Sequence, residues 1–248
     1  MGEGSRKFRS MQAETLAGRV SREIIRSILS GEFVPGDLLP TEEKLCEQFG
    51  VSRSVVREAM RAVMSVGMTR SRQGRGTEVL DRRSWNDFAP ELLAVRLERG
   101  NADRILLELL ELRVAVEAQA AELAAVRAGA ADVDTMRRHH AAMTAAPGDS
   151  DVFIEHDIAF HAAILTATRN ELVVRLFDLL EPMLGMARRF GVEAQDQPAG
   201  IAKAVAEHAR ILDAIQVGAP REARAAMAEH LKSSASRDVH HELDIPSL

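Results

Sequence analysis

The stretch from Leu39 to Val79, LPTEEKLCEQFGVSRSVVREAMRAVMSVGMTRSRQGRGTEV, leaves few folds open to the chain that carries it. Thr41 can cap a helix whose first turn holds Glu43 and Lys44, and Leu45 and Phe49 give that helix an apolar face at i, i+4. Gly50 ends it. Ser52 caps a second helix, along which Val55, Val56, Ala59, Val63 and Val66 face inward while Arg53, Arg57 and Arg61 recur every four residues. Two short strands follow, Thr69 to Arg72 and Thr77 to Leu80, joined by a turn that Gly74 and Gly76 make sterically easy. Helix, tight turn, arginine-bearing helix and basic hairpin, in that order, predict a winged helix-turn-helix of three helices and a small β-hairpin wing.

A helix fits the major groove of DNA with its N-terminal residues at the base edges, where arginine can bind guanine bidentately. The candidate DNA contacts are therefore Ser52, Arg53, Ser54, Arg57 and Arg61 on the second helix, and Lys44 on the first. Arg72, Gly74, Arg75 and Gly76 join them at the hairpin tip, where the arginines suit phosphates or a minor groove. The plainer alternative is a row of arginines that solvates an exposed helix. These motifs resemble the DNA-binding domain of the GntR superfamily of bacterial transcription factors. Its pattern of Leu-Pro-[Ser/Thr]-Glu, Gly-Val-Ser-Arg, Arg-Glu-Ala and Gly-x-Gly-Thr is matched by Leu39 to Glu42, Gly50 to Arg53, Arg57 to Ala59 and Gly74 to Thr77. Two residues depart from it. Glu43 stands where the family has a phosphate-contacting arginine, with Lys44 as a substitute, and Glu78 replaces the wing phenylalanine.

The net charge of −5 argues against nucleic acid only until it is divided along the chain. Residues 1–83 hold 15 Lys and Arg against 11 Asp and Glu, a balance of +4; the remainder holds 17 against 26, a balance of −9. A basic reader joined to an acidic body is drawn to phosphate at one end only. No apolar stretch approaches the length needed to span a bilayer, and MGEGSRKFRS lacks the apolar core of a secretory signal, so the expected location is the cytoplasm. One cysteine, Cys46, rules out an intrachain disulfide and sits among apolar neighbours as a small core residue.

The expected domains are residues 1–81, the DNA reader, with 1–12 outside its ordered part; 82–102, a linker and the first helix of the C-terminal domain; and 103–248, an all-helical domain for metal, effector and dimerisation. Helical patterns run from about Asn86 to Glu98, Asp103 to Ala128, Ala131 to Ala145, Asp151 to Thr168, Glu171 to Phe190, Ile201 to Val217 and Pro220 to Val239. Gly129, Pro147-Gly148, Asn170, Gly191 and Gly218 to Pro220 punctuate them. The fold class is mostly α, with an antiparallel helical bundle as the second half. Pro182 should kink its helix, and the tail from His240 to Leu248 should fray.

Asp157 and His161, four apart, project from one helix face and can share a metal. His208 and His230 lie on later helices, each flanked by apolar residues at core spacing, so one Asp and three His can converge inside the bundle on a borderline divalent ion. The alternative is a set of ordinary core histidines. The segments LELLELRVAVEAQAAELAA, DIAFHAAILTATRNELV and AEHARILDAIQVGAPREARAAMAEHL resemble the C-terminal ligand-binding FCD domain of the FadR-type branch of GntR regulators. The resemblance implies Asp157, His161, His208 and His230 as metal ligands, with zinc first and nickel or manganese as alternates. His139, His140, His156, His240 and His241 match no ligand position and should be exposed.

The same resemblance assigns Arg113, the arginine of the ELR motif, to an effector pocket, with Asn170 and Arg188 as further candidates. A small carboxylate can bind an open metal position and take charge-assisted bonds from the arginine. Arg113 can instead pair structurally with Glu117, its i+4 neighbour. The reading implied is a homodimeric, metabolite-responsive repressor on an inverted-repeat operator, with an organic or sugar acid as effector. The RRSWN stretch from Arg82, with Pro90 beyond it, resembles branches that respond to aldonates such as galactonate. Two rivals are a purely metal-responsive regulator and a metal-dependent hydrolase.

Overall fold

The structure is a computed structural model that describes residues 15–98, 102–147, 149–193 and 197–238. Residues 1–12 and the tail from His240, both expected to lack order, fall outside the described residues. The chain divides into one unit that ends at Val95 and another that begins at Arg96.

In the first unit, helix α1 (Leu16–Leu29) starts where the Thr15 hydroxyl accepts from the Gly18 amide at 3.0 Å. Val20, Ile24, Ile25 and Ile28 form its buried stripe, which packs with Val56, Ala59, Met60 and Val63 of α3 (Arg53–Ser65) into one core. Between them α2 (Glu42–Phe49) is capped by Thr41, whose Oγ1 accepts from the Lys44 amide at 3.4 Å, and ends at Gly50 in the left-handed region. Ser52 occupies the N-cap position of α3, but its side chain makes no capping bond. Its hydroxyl instead pairs with the Ser54 hydroxyl at 2.9 Å, and the helix begins on the Ser52 carbonyl, which accepts from Val56 at 3.2 Å.

Strands β1 (Thr69–Arg72) and β2 (Gly76–Val79) pair antiparallel with Arg72 opposite Gly76, which forms the wing. Leu38 adds a bridge to Glu78, and the Leu39 amide donates to the Thr77 carbonyl at 2.8 Å, so the chain entering α2 borders the hairpin.

The segment after the wing belongs to this unit. Gly67, at φ +77°, lies so close to the Ser84 carbonyl that a Cβ there would fall 2.1 Å from its oxygen. The Asn86 amide donates to the Val66 carbonyl at 2.7 Å, and the Trp85 indole donates to the Leu80 carbonyl at 3.1 Å. Helix α4 (Pro90–Arg96) then buries Leu92 and Val95 in the reader's core. The sequence assigned this helix to the C-terminal domain; its apolar face is instead used on the N-terminal side.

The second unit holds α5 (Ala102–Arg127), α6 (Ala130–Ala145), α7 (Ser150–Ala167), α8 (Glu171–Glu193), α9 (Gln197–Gln216) and α10 (Pro220–Asp238). Their limits follow the expected ones closely, and α8 runs through Pro182 as one helix. Helix α5 packs against α10, α7 and α9, while α6 packs against α7 and α9. Phe160, Ile164, Ile211, Met227 and Leu231 are fully buried at the centre. At one end the Arg127 guanidinium donates to the Thr168 carbonyl at 2.7 Å, and Arg169, left-handed at φ 56°, reaches Asp132 at 2.6 Å. Among the described residues no helix is long and apolar enough to cross a membrane.

Candidate metal centre and nucleic-acid interface

Three helices of the bundle bring four polar side chains to one buried point. Asp157 and His161 come from α7, His208 from α9 and His230 from α10, and each is at most 1% exposed. Each offers a ligand atom, and the four atoms lie within 4.8 Å of one another. His208 Nε2 is 3.4 Å from His161 Nε2 and 3.2 Å from Asp157 Oδ1, and His161 Nε2 is 4.0 Å from the same oxygen. Ligands at about 2.0–2.1 Å from a tetrahedral ion stand roughly 3.3–3.4 Å apart, so the observed separations bracket the zinc geometry. Phe160 closes one side, its ring centroid 4.9 Å from that of His208. Three imidazoles and one carboxylate also suit a borderline ion by ligand type.

Two further carboxylates stand behind this cluster. Glu117, 1% exposed on α5, contacts His161 Nδ1, and the Arg113 guanidinium donates to it through Nε at 2.5 Å and Nη2 at 3.3 Å. Burial pushes the Glu117 carboxyl up, yet the charges of Arg113 and His161 and the hydrogen bonds from both outweigh it and lower it to about 2. Glu207, on α9, accepts from His230 Nδ1 at 2.9 Å. Sequence reasoning named Glu117 as a partner for Arg113 but not for His161, and did not name Glu207.

The other expected sites are dispersed. Arg113 is buried and engaged by Glu117, which is the pairing that its i+4 spacing allowed. Asn170 serves the α7–α8 turn: its amide donates to the Thr168 hydroxyl at 3.2 Å, and its side-chain oxygen accepts from the Leu172 amide at 3.1 Å. The side chain of Arg188 lies outside the described residues. His139, His140 and His156, expected to be exposed, are half-buried. His139 and His156 meet Nδ1 to Nδ1 at 3.2 Å, and His140 Nε2 is 3.0 Å from the Val205 carbonyl. His240 and His241 fall outside the described residues.

On the first unit, Arg53, Arg57 and Arg61 of α3 are exposed, as are Lys44, Ser52, Ser54, Arg72, Gly74, Arg75 and Gly76. A cleft of about 540 Å³ lies between α3 and the wing, with Arg57, Arg61 and Arg75 on its walls. These arginines do not stand alone. Arg57 Nε pairs with Glu42 at 2.9 Å, Arg53 with Glu43 at 3.4 Å, and Arg72 Nε with Glu78 at 2.6 Å. The two glutamates that depart from the expected pattern are thus the partners of two candidate DNA-contacting arginines. Cys46 is partly buried against the same core.

Comparison with known proteins agrees with both halves. Residues 16–79 match the model of the bacterial regulatory proteins of the gntR family, and residues 108–233 match that of the FCD domain. The chain is 30% identical over 191 residues to the galactonate operon transcriptional repressor of Escherichia coli strain K12, covering 77% of this chain and 82% of that one. It is 32% identical over 206 residues to the transcriptional regulator LutR of Bacillus subtilis strain 168, covering 82% and 92%. A solved structure described as Lar, which controls the agr system of Listeria monocytogenes, shares the fold with a TM-score of 0.60 at 19% identity, covering 94% of this chain and all of that one. The matched domains and relatives are those of transcription regulators, which sets the hydrolase reading aside. This chain belongs to the GntR family of DNA-binding transcriptional regulators, in the branch that carries a C-terminal FCD domain.

Proposed function

We propose that this regulator is a cytoplasmic homodimeric repressor that reads an inverted-repeat operator with α3 and the wing. It holds a divalent metal, zinc first, on Asp157, His161, His208 and His230, and it answers to a small organic or sugar acid. The observation that carries the reading is the convergence of those four buried ligand atoms within 4.8 Å inside the FCD domain. Four ligands leave positions open for an effector carboxylate if the ion expands its coordination. Arg113 lies one carboxylate away. Its guanidinium has five N–H donors, of which Glu117 takes two, so an acid can still be held there. The similarity to a galactonate operon repressor places aldonates first among the acids to try.

Zinc-loaded protein should bind close to one ion per chain and release its operator when titrated with the right acid. A thermal-shift screen finds that acid, since a ligand at 100 times its dissociation constant adds about 2.7 kcal/mol of stability. Arg113→Ala should still bind operator yet ignore the acid. If the mutant responds like the parent, the pocket is elsewhere. A second reading, in which the ion alone is the signal, is favoured by the prior engagement of Arg113 with Glu117. It requires operator affinity that tracks zinc and is indifferent to every acid.

A further inference from the structure

Two of the three candidate histidine ligands are backed in the same way from different sides of the bundle. On α5, Arg113 and Glu117 are i, i+4 neighbours, and Glu117 contacts Nδ1 of His161 on α7. On α9, Lys203 and Glu207 are i, i+4 neighbours 3.8 Å apart, and Glu207 contacts Nδ1 of His230 on α10 at 2.9 Å. Each unit reads cation, carboxylate, imidazole, with the cation and carboxylate on one helix and the imidazole on the next. An ionised carboxylate only accepts, so the proton on each ring must sit on Nδ1, and the lone pair falls to Nε2. His161 Nε2 is the nitrogen that faces His208 Nε2 and Asp157. A neutral imidazole whose far nitrogen is held in this way keeps its ring plane and tautomer fixed and its metal-binding nitrogen more basic.

We infer that Glu117 and Glu207 are positioning residues for the metal centre, which hold His161 and His230 in the Nδ1–H tautomer with Nε2 toward the ligand cluster. Glu117 also joins that centre to Arg113, so the candidate effector arginine and one metal ligand share a single buried carboxylate. The inference rests on the metal reading given above. It adds that loss of either carboxylate weakens metal binding although all four ligands remain.

The test uses the full-length protein with zinc as the probe, measured against a competing chelator, in the parent and in Glu117→Gln and Glu207→Gln. The two variants differ in risk. Glu117 is deeply buried beside Arg113, whereas Glu207 lies at the edge of the bundle and is the safer variant to fold. Each substitution should raise the zinc dissociation constant about 10- to 100-fold, while operator binding by the metal-free protein stays within twofold of the parent. The tautomers are read independently by ¹⁵N chemical shifts of the histidine side chains in metal-free protein. His161 and His230 of the parent should be Nδ1–H forms, and each variant should lose that preference at its own histidine only. Zinc binding by the parent with unchanged affinity in Glu207→Gln, or Nε2–H tautomers in the metal-free parent, overturns the inference and spares the metal reading. Failure of the parent to bind zinc overturns the metal reading itself.

Discussion

Arg53 and Arg57 stand exposed on α3, so their removal should cost the fold little, whereas a bidentate base contact is worth about 1–3 kcal/mol of discrimination. Arg53→Ala or Arg57→Ala should therefore abolish preference for the operator over random DNA while thermal stability stays unchanged. Equal operator affinity of mutant and parent in an anisotropy titration at fixed salt would sink that assignment. A second prediction concerns His139. Burial first, then His156 and Arg138, hold its ring below the usual histidine value, and Glu155 pulls the other way. The native state prefers the neutral ring, so the stability linked to it is fully present above the unfolded value of 6.5 and falls as pH drops through that value toward the lower folded one. His156→Gln removes one of the groups that oppose protonation. Its thermal midpoint should fall less steeply than the parent's between about pH 7 and about pH 5, and parallel curves would remove the pair from the pH response. At this scale the sequence shows what spacing can show. Asp157 and His161 announce themselves at i, i+4, but the contact of Glu117 with His161 joins residues 44 apart, and no local period encodes it.

Helices were the readable elements because the apolar period and the Gly and Pro breaks agree along most of the bundle. Two local features went otherwise, each for a packing reason. Ser52 was expected to cap α3, yet the hydroxyl of Ser54 lies nearer to hand and takes the bond. Helix α4 follows a polar stretch that looks like a linker, and only the three-dimensional closeness of Gly67 to Ser84 shows that the stretch is bound to the reader. That closeness separates two glycines that sequence alone treats alike. Gly50 is left-handed with open space around its α-carbon, so Gly50→Ala should cost about 1–2 kcal/mol, the usual penalty of that backbone region for an L-residue. Gly67→Ala adds a collision with backbone to the same penalty and should cost clearly more. Urea denaturation of the two variants decides it; equal losses would mean that residues 82–86 yield without strain.

At the scale of the whole molecule, an acid bound near Arg113 can act on DNA only by favouring one arrangement of the dimer's readers over another. The resulting coupling, about 1–3 kcal/mol in regulators of this kind, must be felt equally by the acid when DNA is bound. The division of charge along the chain has a finer counterpart inside the reader. Glu42, Glu43 and Glu78 give Arg57, Arg53 and Arg72 built-in counterions, which DNA must displace before its phosphates or base edges take their place. When phosphates shed condensed cations to an arginine, the stranded carboxylate beside them takes a cation up, and the two exchanges partly cancel. The logarithm of operator affinity should then fall with the logarithm of salt concentration less steeply than about 0.9 per phosphate contact. Glu43→Gln with Glu78→Gln should tighten binding at low salt and steepen that slope by up to about one unit for each carboxylate removed. An unaltered slope would mean that these glutamates swing clear of the duplex. If the slope does change, this reader is tuned to hold its operator evenly as the ionic strength around it varies.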